Sequence, residues 1–246
     1  MSNFEVPSIL VVAAHAGDFV WRCGGTIAKY AKRGSLVKVV VMSDGLRGES
    51  NEYWRTEGAN MEDGKCIRQA EAAKAAKILG AAEIEFWELA DYPMTITDVH
   101  VEKLVHVIRA FRPDIILTHA EYDQFNPDHN ATHAAVRKAC AAASGAGFPD
   151  EHPVSPRQTP IFGFEPQQTE ISRFNPIVYN DITDFFALKC EAMKVYATQP
   201  GMYKNYVRKA EMRGSEAKNR GSRALCEYAE AFDIYQPIAA VGDLVW

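Results

Sequence analysis

With 246 residues and 47% hydrophobic content, the chain can build a sizeable core, as one large α/β domain or two small ones. A net charge of −5 leaves no basic footprint and sets nucleic acid aside as a partner. No apolar run approaches the roughly 18 residues of a membrane span, and the opening MSNFEVPS has no basic stretch followed by an apolar one, so a cytoplasmic protein with no membrane partner is the expectation.

The elements follow in chain order. Ile9–Ala14, ILVVAA, is a continuous apolar run suited to a strand buried on both faces. Gly25–Lys32 reads as a helix ended by Gly34, and Val37–Met42 as a second strand stopped by Ser43-Asp44-Gly45. Asp63–Leu79 is a long amphipathic helix closed by Gly80, Ile84–Leu89 a third strand, Val99–Phe111 a helix and Asp114–Thr118 a fourth strand. Pro127–Ala143 is the next helix. The Gly- and Pro-rich stretch Ser144–Pro176 reads as a long excursion, with room for a hairpin, whose strand-like Ile161–Phe164 leads back to the sheet along with Ile177–Tyr179. Asp181–Tyr196 and Glu216–Phe232 read as closing helices. This alternation predicts a Rossmann-like open, mostly parallel sheet with helices on both faces, in a single domain spanning 1–246. The five cysteines, Cys23, Cys66, Cys140, Cys190 and Cys226, form no CxxC pair and read as reduced, packed thiols.

In such a sheet ligands sit beyond the carboxyl ends of the strands. His15 and Asp18 lie there after the first strand, Asp44, Arg47 and Glu49 after the second, Asp91 after the third, and His119 through His129 after the fourth. His15 and Asp18, at i and i+3 in a turn, can converge on one point. In NPDHNATH, Asn126 suits a helix cap and Pro127 the first helical position, which puts His129 and His133 on one face at i and i+4. His15, Asp18 and His129 make a two-histidine, one-carboxylate set with open positions, suited to catalytic zinc and also to Fe(II). A structural histidine, a simple helix cap and a simple helix start are the competing readings of those three residues.

The stretch ILVVAAHAGDFVWRCGGTIAKYAKRGSLVKVVVMSDG resembles the opening of the LmbE-like, or PIG-L, zinc-dependent deacetylases, whose signature is AHPDDE followed by a GG helix. NPDHNATH resembles their second motif, HPDH, and VYNDITDFFALKCEAMKVYATQP and NRGSRALCEYAEAF resemble their closing segments. By position the resemblance implies zinc, Zn(2+), on His15, Asp18 and His129. Two catalytic groups depart from it: the general base, the first Asp of AHPDDE, falls on Gly17, and its partner histidine falls on Asn126, which can donate a hydrogen bond but cannot exchange a proton. The resemblance is nearest to a hydratase branch that adds water across the C=C of 4-oxalomesaconate, a small oxo-tricarboxylate of gallate catabolism, and it carries a homo-oligomer as a weaker implication. The alternatives are an N-deacetylase of an amino-sugar conjugate with a substitute base such as Glu49, and a non-catalytic metal-binding relative.

On the hydratase reading, Arg47 is the first choice for clamping a substrate carboxylate and Glu49 for moving protons, each against a plain loop charge. Asn126 donates in the place of the histidine. His133 either orients a ligand, donates a proton or packs in the core, His119 is a candidate for touching substrate against a plain strand-end residue, and Asp44 orients a ligand or its loop. Glu165 either returns to the site or stays a solvated loop carboxylate; Tyr53, Trp54 and Arg55 form a lid or anchor their loop. Arg22, Arg208, Arg213 and Arg223 are anion binders in principle and read singly as surface residues. His100, His106 and His152 stand at background.

Overall fold

The computed structural model describes residues 6–156, 158–220 and 225–235. Its seven strands form one sheet in the order β3-β2-β1-β4-β5-β7-β6. β1 (Ile9–His15) pairs in parallel with β2 (Val37–Ser43) and β4 (Ile115–His119); β2 pairs in parallel with β3 (Glu83–Leu89), and β4 with β5 (Ile161–Phe164). β7 (Ala229–Ile234) runs antiparallel to both β5 and β6 (Val178–Asp181). The mostly parallel sheet expected from the alternation is therefore present, with one reversed strand near an edge.

β1 is buried along its whole length because both faces are covered. Ile9, Val11 and Ala13 join the cluster under α1 (Asp18–Lys32), α4 (Met61–Leu79), α7 (Phe186–Met193) and α8 (Met202–Asn219). Leu10, Val12 and Ala14 join the cluster under α5 (Asp98–Phe111) and α6 (Pro127–Ala143). Fully burying a Val, Leu or Ile is worth about 1.5–3 kcal/mol, so this strand anchors the fold and with it the turn at its end.

Two closing elements differ from the sequence reading. Glu216–Phe232 is not a helix: α8 begins at Met202 and ends at Asn219, and Ala229–Ile234 is a strand, while residues 221–224, Arg223 among them, lie outside the described residues. Ala and Glu favour helix, but pairing on both sides, Phe162↔Ile234 to Phe164↔Phe232 and Val178↔Phe232 to Asp181↔Ala229, overrides that weak preference. Asp181–Tyr196 breaks into the end of β6, a short 3₁₀ turn at Thr183–Phe185 and α7. The excursion after α6 holds no hairpin among the described residues; its strand β5 joins β4 directly.

α1 starts at Asp18, earlier than expected, and is broken at Cys23, whose φ of −139° and ψ of 20° are not helical. The break frees the amides of Gly25 and Thr26, which donate to the Glu230 carboxylate at 2.9 and 2.7 Å. Glu230 is paired in turn with the buried Lys189 at 2.5 Å. One strand of the sheet thus caps the second half of the helix that follows the β1 turn.

β1 neighbours β2 on one side and β4 on the other, so the chain reverses its direction of travel across the sheet at β1. The crevice of an open α/β sheet is expected at that point. There β1 and β4 part: their register runs only from Ile9↔Ile115 to Val11↔Leu117, although both strands continue. Side chains fill the gap, Thr118 Oγ1 donating to the Val12 carbonyl at 2.8 Å and His119 Nε2 accepting the Ala14 amide at 2.9 Å.

Candidate metal centre and cleft

A cleft of about 540 Å³ opens at this reversal. Its floor is made by the β1 turn, by the short helices α2 (Leu46–Glu49) and α3 (Asn51–Trp54) after β2, and by the segment from Asp123 to His129 after β4. Gly45 permits the turn after β2: its φ is +69°, and a Cβ there would lie 2.8 Å from the His15 Cβ.

His15, Asp18, Glu49 and His129 each offer a ligand atom, all within 4.8 Å of one another. His15 Nδ1 lies 3.4 Å from Asp18 Oδ2 and 3.2 Å from Glu49 Oε1. His129 Nε2 lies 3.5 Å and 3.8 Å from the same two oxygens. Both nitrogens are buried and have no hydrogen-bond partner among the described residues. Their opposite ring nitrogens are committed: His15 Nε2 donates to Asp128 Oδ2 at 3.2 Å, and His129 Nδ1 to Asp123 Oδ2 at 2.9 Å. A buried nitrogen left bare costs about 1–3 kcal/mol, so two of them aimed at one point between carboxylates fit a divalent cation.

Electrostatics point the same way. Burial alone would push the His15 imidazole down, but Glu49, Asp128 and Asp18 hold it well above its usual value. Burial would raise the Glu49 carboxyl, and His15 beside it holds it below its ordinary value. Burial would likewise raise Asp18, and His129 and His119 hold it well below. A surplus of anionic oxygens draws a proton onto a histidine that a metal ion would otherwise serve.

Asp123 and Asp128 escaped the sequence reading as orienting groups, although Asp128 stands inside NPDH. Asp128 is itself fixed by the amides of Tyr92 and Met94 at 2.9 and 2.8 Å. Asp123→Asn is expected to weaken metal binding about 10–100-fold in a chelator competition, because such partners tune the ligand they orient. An unchanged dissociation constant would leave Asp123 a loop anchor.

The other expected site residues divide. Asn126 caps α6, its Oδ1 accepting the His129 amide at 3.3 Å, and its Nδ2 donates to Glu49 Oε1 at 3.2 Å, so the cap also aims Glu49. Arg47 does not enter the cleft. It is exposed, and its amide and that of Gly48 donate to Asp91 Oδ2 at 2.8 and 3.0 Å, which turns the side chain toward a separate pocket shared with Asp44 and Asp91. His119 does not line the cleft: its Nε2 is turned to the Ala14 amide, and its ring stacks on that of His129 at 3.9 Å. Burial and the neighbouring His129 keep it well below its ordinary value, in the neutral form that can accept that amide. His133 sits behind it, Nδ1 donating to the His119 carbonyl at 2.7 Å, and does not line the cleft.

The arginine that the structure does bring to the cleft is Arg22, read as surface from the sequence. It is 6% exposed and lines the cleft, with Nε on Asp18 Oδ1 at 3.3 Å and Nη1 on the Glu165 carbonyl at 2.6 Å. The i+4 spacing from Asp18 was the available signal. Glu165 is a buried structural partner of Arg213, at 2.9 and 2.6 Å, and of Lys209. Trp54 donates to the Leu46 carbonyl and anchors its loop. Away from the cleft, His106, Asp150 and His152 come together on the surface.

Gly17 answers to its surroundings. A Cβ there would lie 2.5 Å from Trp21 Nε1 and 2.8 Å from Gln199 Oε1, so no carboxylate stands at residue 17 while those two side chains hold their places.

The PIG-L family model, described as GlcNAc-PI de-N-acetylase, matches residues 10–140. The chain is 38% identical to the 4-oxalmesaconate hydratase of Pseudomonas putida KT2440 over 219 residues, which is 88% of this chain and 84% of that one. It is 28% identical to the diacetylchitobiose deacetylase of Thermococcus kodakarensis over 202 residues, 79% and 71% of the two chains. The crystal structure of GalB, the 4-carboxy-2-hydroxymuconate hydratase of Pseudomonas putida KT2440, superposes with a TM-score of 0.91 at 34% identity and covers 96% of this chain and 99% of that one. With the family model spanning more than half of the residues and these relatives matched along most of their length, the chain belongs to the PIG-L family.

Proposed function

We propose that this protein is a zinc-dependent hydratase that adds water across the C=C of 4-oxalomesaconate to give 4-carboxy-4-hydroxy-2-oxoadipate, as in bacterial gallate catabolism. The observation that carries the reading is the filled space over Gly17, which leaves no room for the general base that the resemblance places there and leaves Glu49 beside the two bare histidine nitrogens. The similarity to the Pseudomonas putida hydratases supports the same choice.

His15, Asp18 and His129 would hold the zinc. When bound it supplies Lewis acidity toward the oxygen on which negative charge develops during addition. The chain supplies the rest. Glu49, ionised next to His15, takes one proton from the attacking water as the C–O bond forms. The electron pair of the C=C moves toward the conjugated carbonyl or carboxylate, and Glu49 returns its proton to the neighbouring carbon. Asn126 Nδ2 holds the Glu49 carboxylate in line. Arg22, the one guanidinium among the described residues lining the cleft, would pair with a substrate carboxylate. The lining is otherwise rich in amides (Asn51, Asn126, Gln167, Gln168, Gln199 and Asn205), which donate hydrogen bonds to carboxylates without adding charge.

The test follows loss of the conjugated chromophore of 4-oxalomesaconate on the zinc-loaded protein, alongside acetate release from N-acetylglucosamine conjugates. Hydration with negligible acetate is expected; efficient acetate release with the unsaturated acid untouched would overturn the reading. Arg22→Met is expected to lower kcat/KM about ten- to a hundredfold, since a charge-assisted pair is worth roughly 1.5–3 kcal/mol, while Arg47→Met leaves it unchanged. Equal losses in the two variants would put the clamp elsewhere.

A further inference from the structure

Gln199 follows α7 in the turn before α8, and its amide is committed at both ends. Oε1 accepts from Arg68 Nη1 at 3.0 Å and from Trp21 Nε1 at 3.3 Å, and Nε2 donates to the main-chain oxygen of Glu49 at 3.1 Å. Arg68 is fully buried and fixed by the Asp44 carbonyl at 2.9 Å and by Thr198 Oγ1 at 2.9 Å, and Thr198 is held by the Glu71 carboxylate. The amide therefore has one orientation. Turning it over would set its NH₂ against two donors and its oxygen against a carbonyl.

The segment around it reaches the metal loop as well. Tyr196 donates to the Ala16 carbonyl at 2.7 Å and packs on Trp21 at 5.2 Å. Glu49, by contrast, belongs to a four-residue helix joined to another of the same length, with little ladder of its own to fix it. Ser50 bonds the Gly45 carbonyl and Asp91 the amides of Arg47 and Gly48, but the carbonyl of Glu49 is held by Gln199.

We propose that Gln199 is a positioning residue for the hydration: it fixes the main chain of Glu49 and, with Trp21, closes the space over Gly17, so that Glu49 is the carboxylate presented to the substrate at this side of the cleft. This rests on the hydratase reading of the site. The physical demand is placement, since a reacting group displaced by about 1 Å loses roughly a hundredfold in rate.

Two variants separate positioning from packing in the zinc-loaded protein. Gln199→Leu removes both functions of the amide. Gln199→Glu keeps the volume and the acceptor for Arg68 and Trp21, but has no N–H for the Glu49 carbonyl and adds a negative charge beside a polyanionic substrate. Both are expected to lower kcat about ten- to a hundredfold with metal content unchanged, and the Glu variant to raise KM in addition. In a double-mutant cycle, Gln199→Leu should cost less than about twofold in a Glu49→Gln background, because the carboxylate it positions is gone. Losses that multiply would overturn the proposal, as would an unchanged kcat in Gln199→Glu, the variant that decides if the Leu form does not fold. Backbone hydrogen exchange over residues 46–54 should quicken in the Gln199 variants while that of β1 stays fixed. Should the wild type fail to hydrate the acid, the hydratase reading falls on its own, and unaltered exchange over 46–54 would overturn the positioning role separately.

Discussion

His129→Ala is expected to lose bound zinc and hydration together while the protein stays folded, and His15→Ala and Asp18→Ala to behave alike. The loss in metal affinity should be roughly a hundredfold or more, because carboxylates that only orient such ligands are already worth about 10–100-fold. The fold is expected to survive because its anchor is apolar: β1 is buried on both faces up to the turn, and neither hydrophobic cluster contains a ligand residue. Chelation of the wild type should therefore remove activity reversibly, with zinc restoring it. Removing Asp18 also leaves the buried His15 amide and Arg22 Nε, which donate to its carboxylate at 2.8 and 3.3 Å, without an acceptor, so the Asp18 variant should be the most destabilised of the three without metal. Zinc measured per chain by elemental analysis, beside melting temperature with and without chelator, checks this. Full occupancy in all three variants would remove these residues from the metal site.

What the sequence made legible was governed by short-range pattern. The unbroken apolar run of β1, the i, i+3 spacing of His15 and Asp18, and the Pro127 helix start that places His129 in the first turn of α6 are local facts, and the sheet converts them into one rim. What it concealed depends on pairing between distant residues. Ala229–Ile234 has the composition of a helix and becomes a strand because β5 and β6 flank it. Arg47 sits two residues before Glu49 in sequence, yet Asp91, arriving from β3, takes its amide and turns it out of the cleft. His119 ends a strand on the ligand rim, where substrate contact was the expectation, but the parting of β1 from β4 leaves the Ala14 amide without a ladder partner and the imidazole supplies it. Gly17 shows the limit most plainly. The sequence shows that a carboxylate is missing there, whereas only the packing of Trp21 and Gln199, residues 4 and 182 positions further along, shows that the space is taken.

Glu49→Gln should then be the most damaging change that leaves the metal in place. The substitution keeps shape and the main-chain bond to Gln199, and removes the one property the hydration needs from this residue, a carboxylate able to take a proton from water and give it back. A positioned acid–base group contributes about 10²–10⁴-fold, and kcat is expected to fall by that amount, with KM moving little or downward as a negative charge leaves the cleft. The partner group makes the loss specific: Asn126 Nδ2 donates to Glu49 Oε1, and against a glutamine the amide can turn to offer its oxygen, so the hydrogen bond persists while the proton carrier is lost. Bound zinc separates the two roles open to Glu49, whose oxygen lies within reach of both bare histidine nitrogens. Unchanged zinc with kcat down at least about a hundredfold assigns it to proton transfer; zinc lost in step with activity would make it a fourth ligand, and activity within a few-fold of wild type would end its catalytic role.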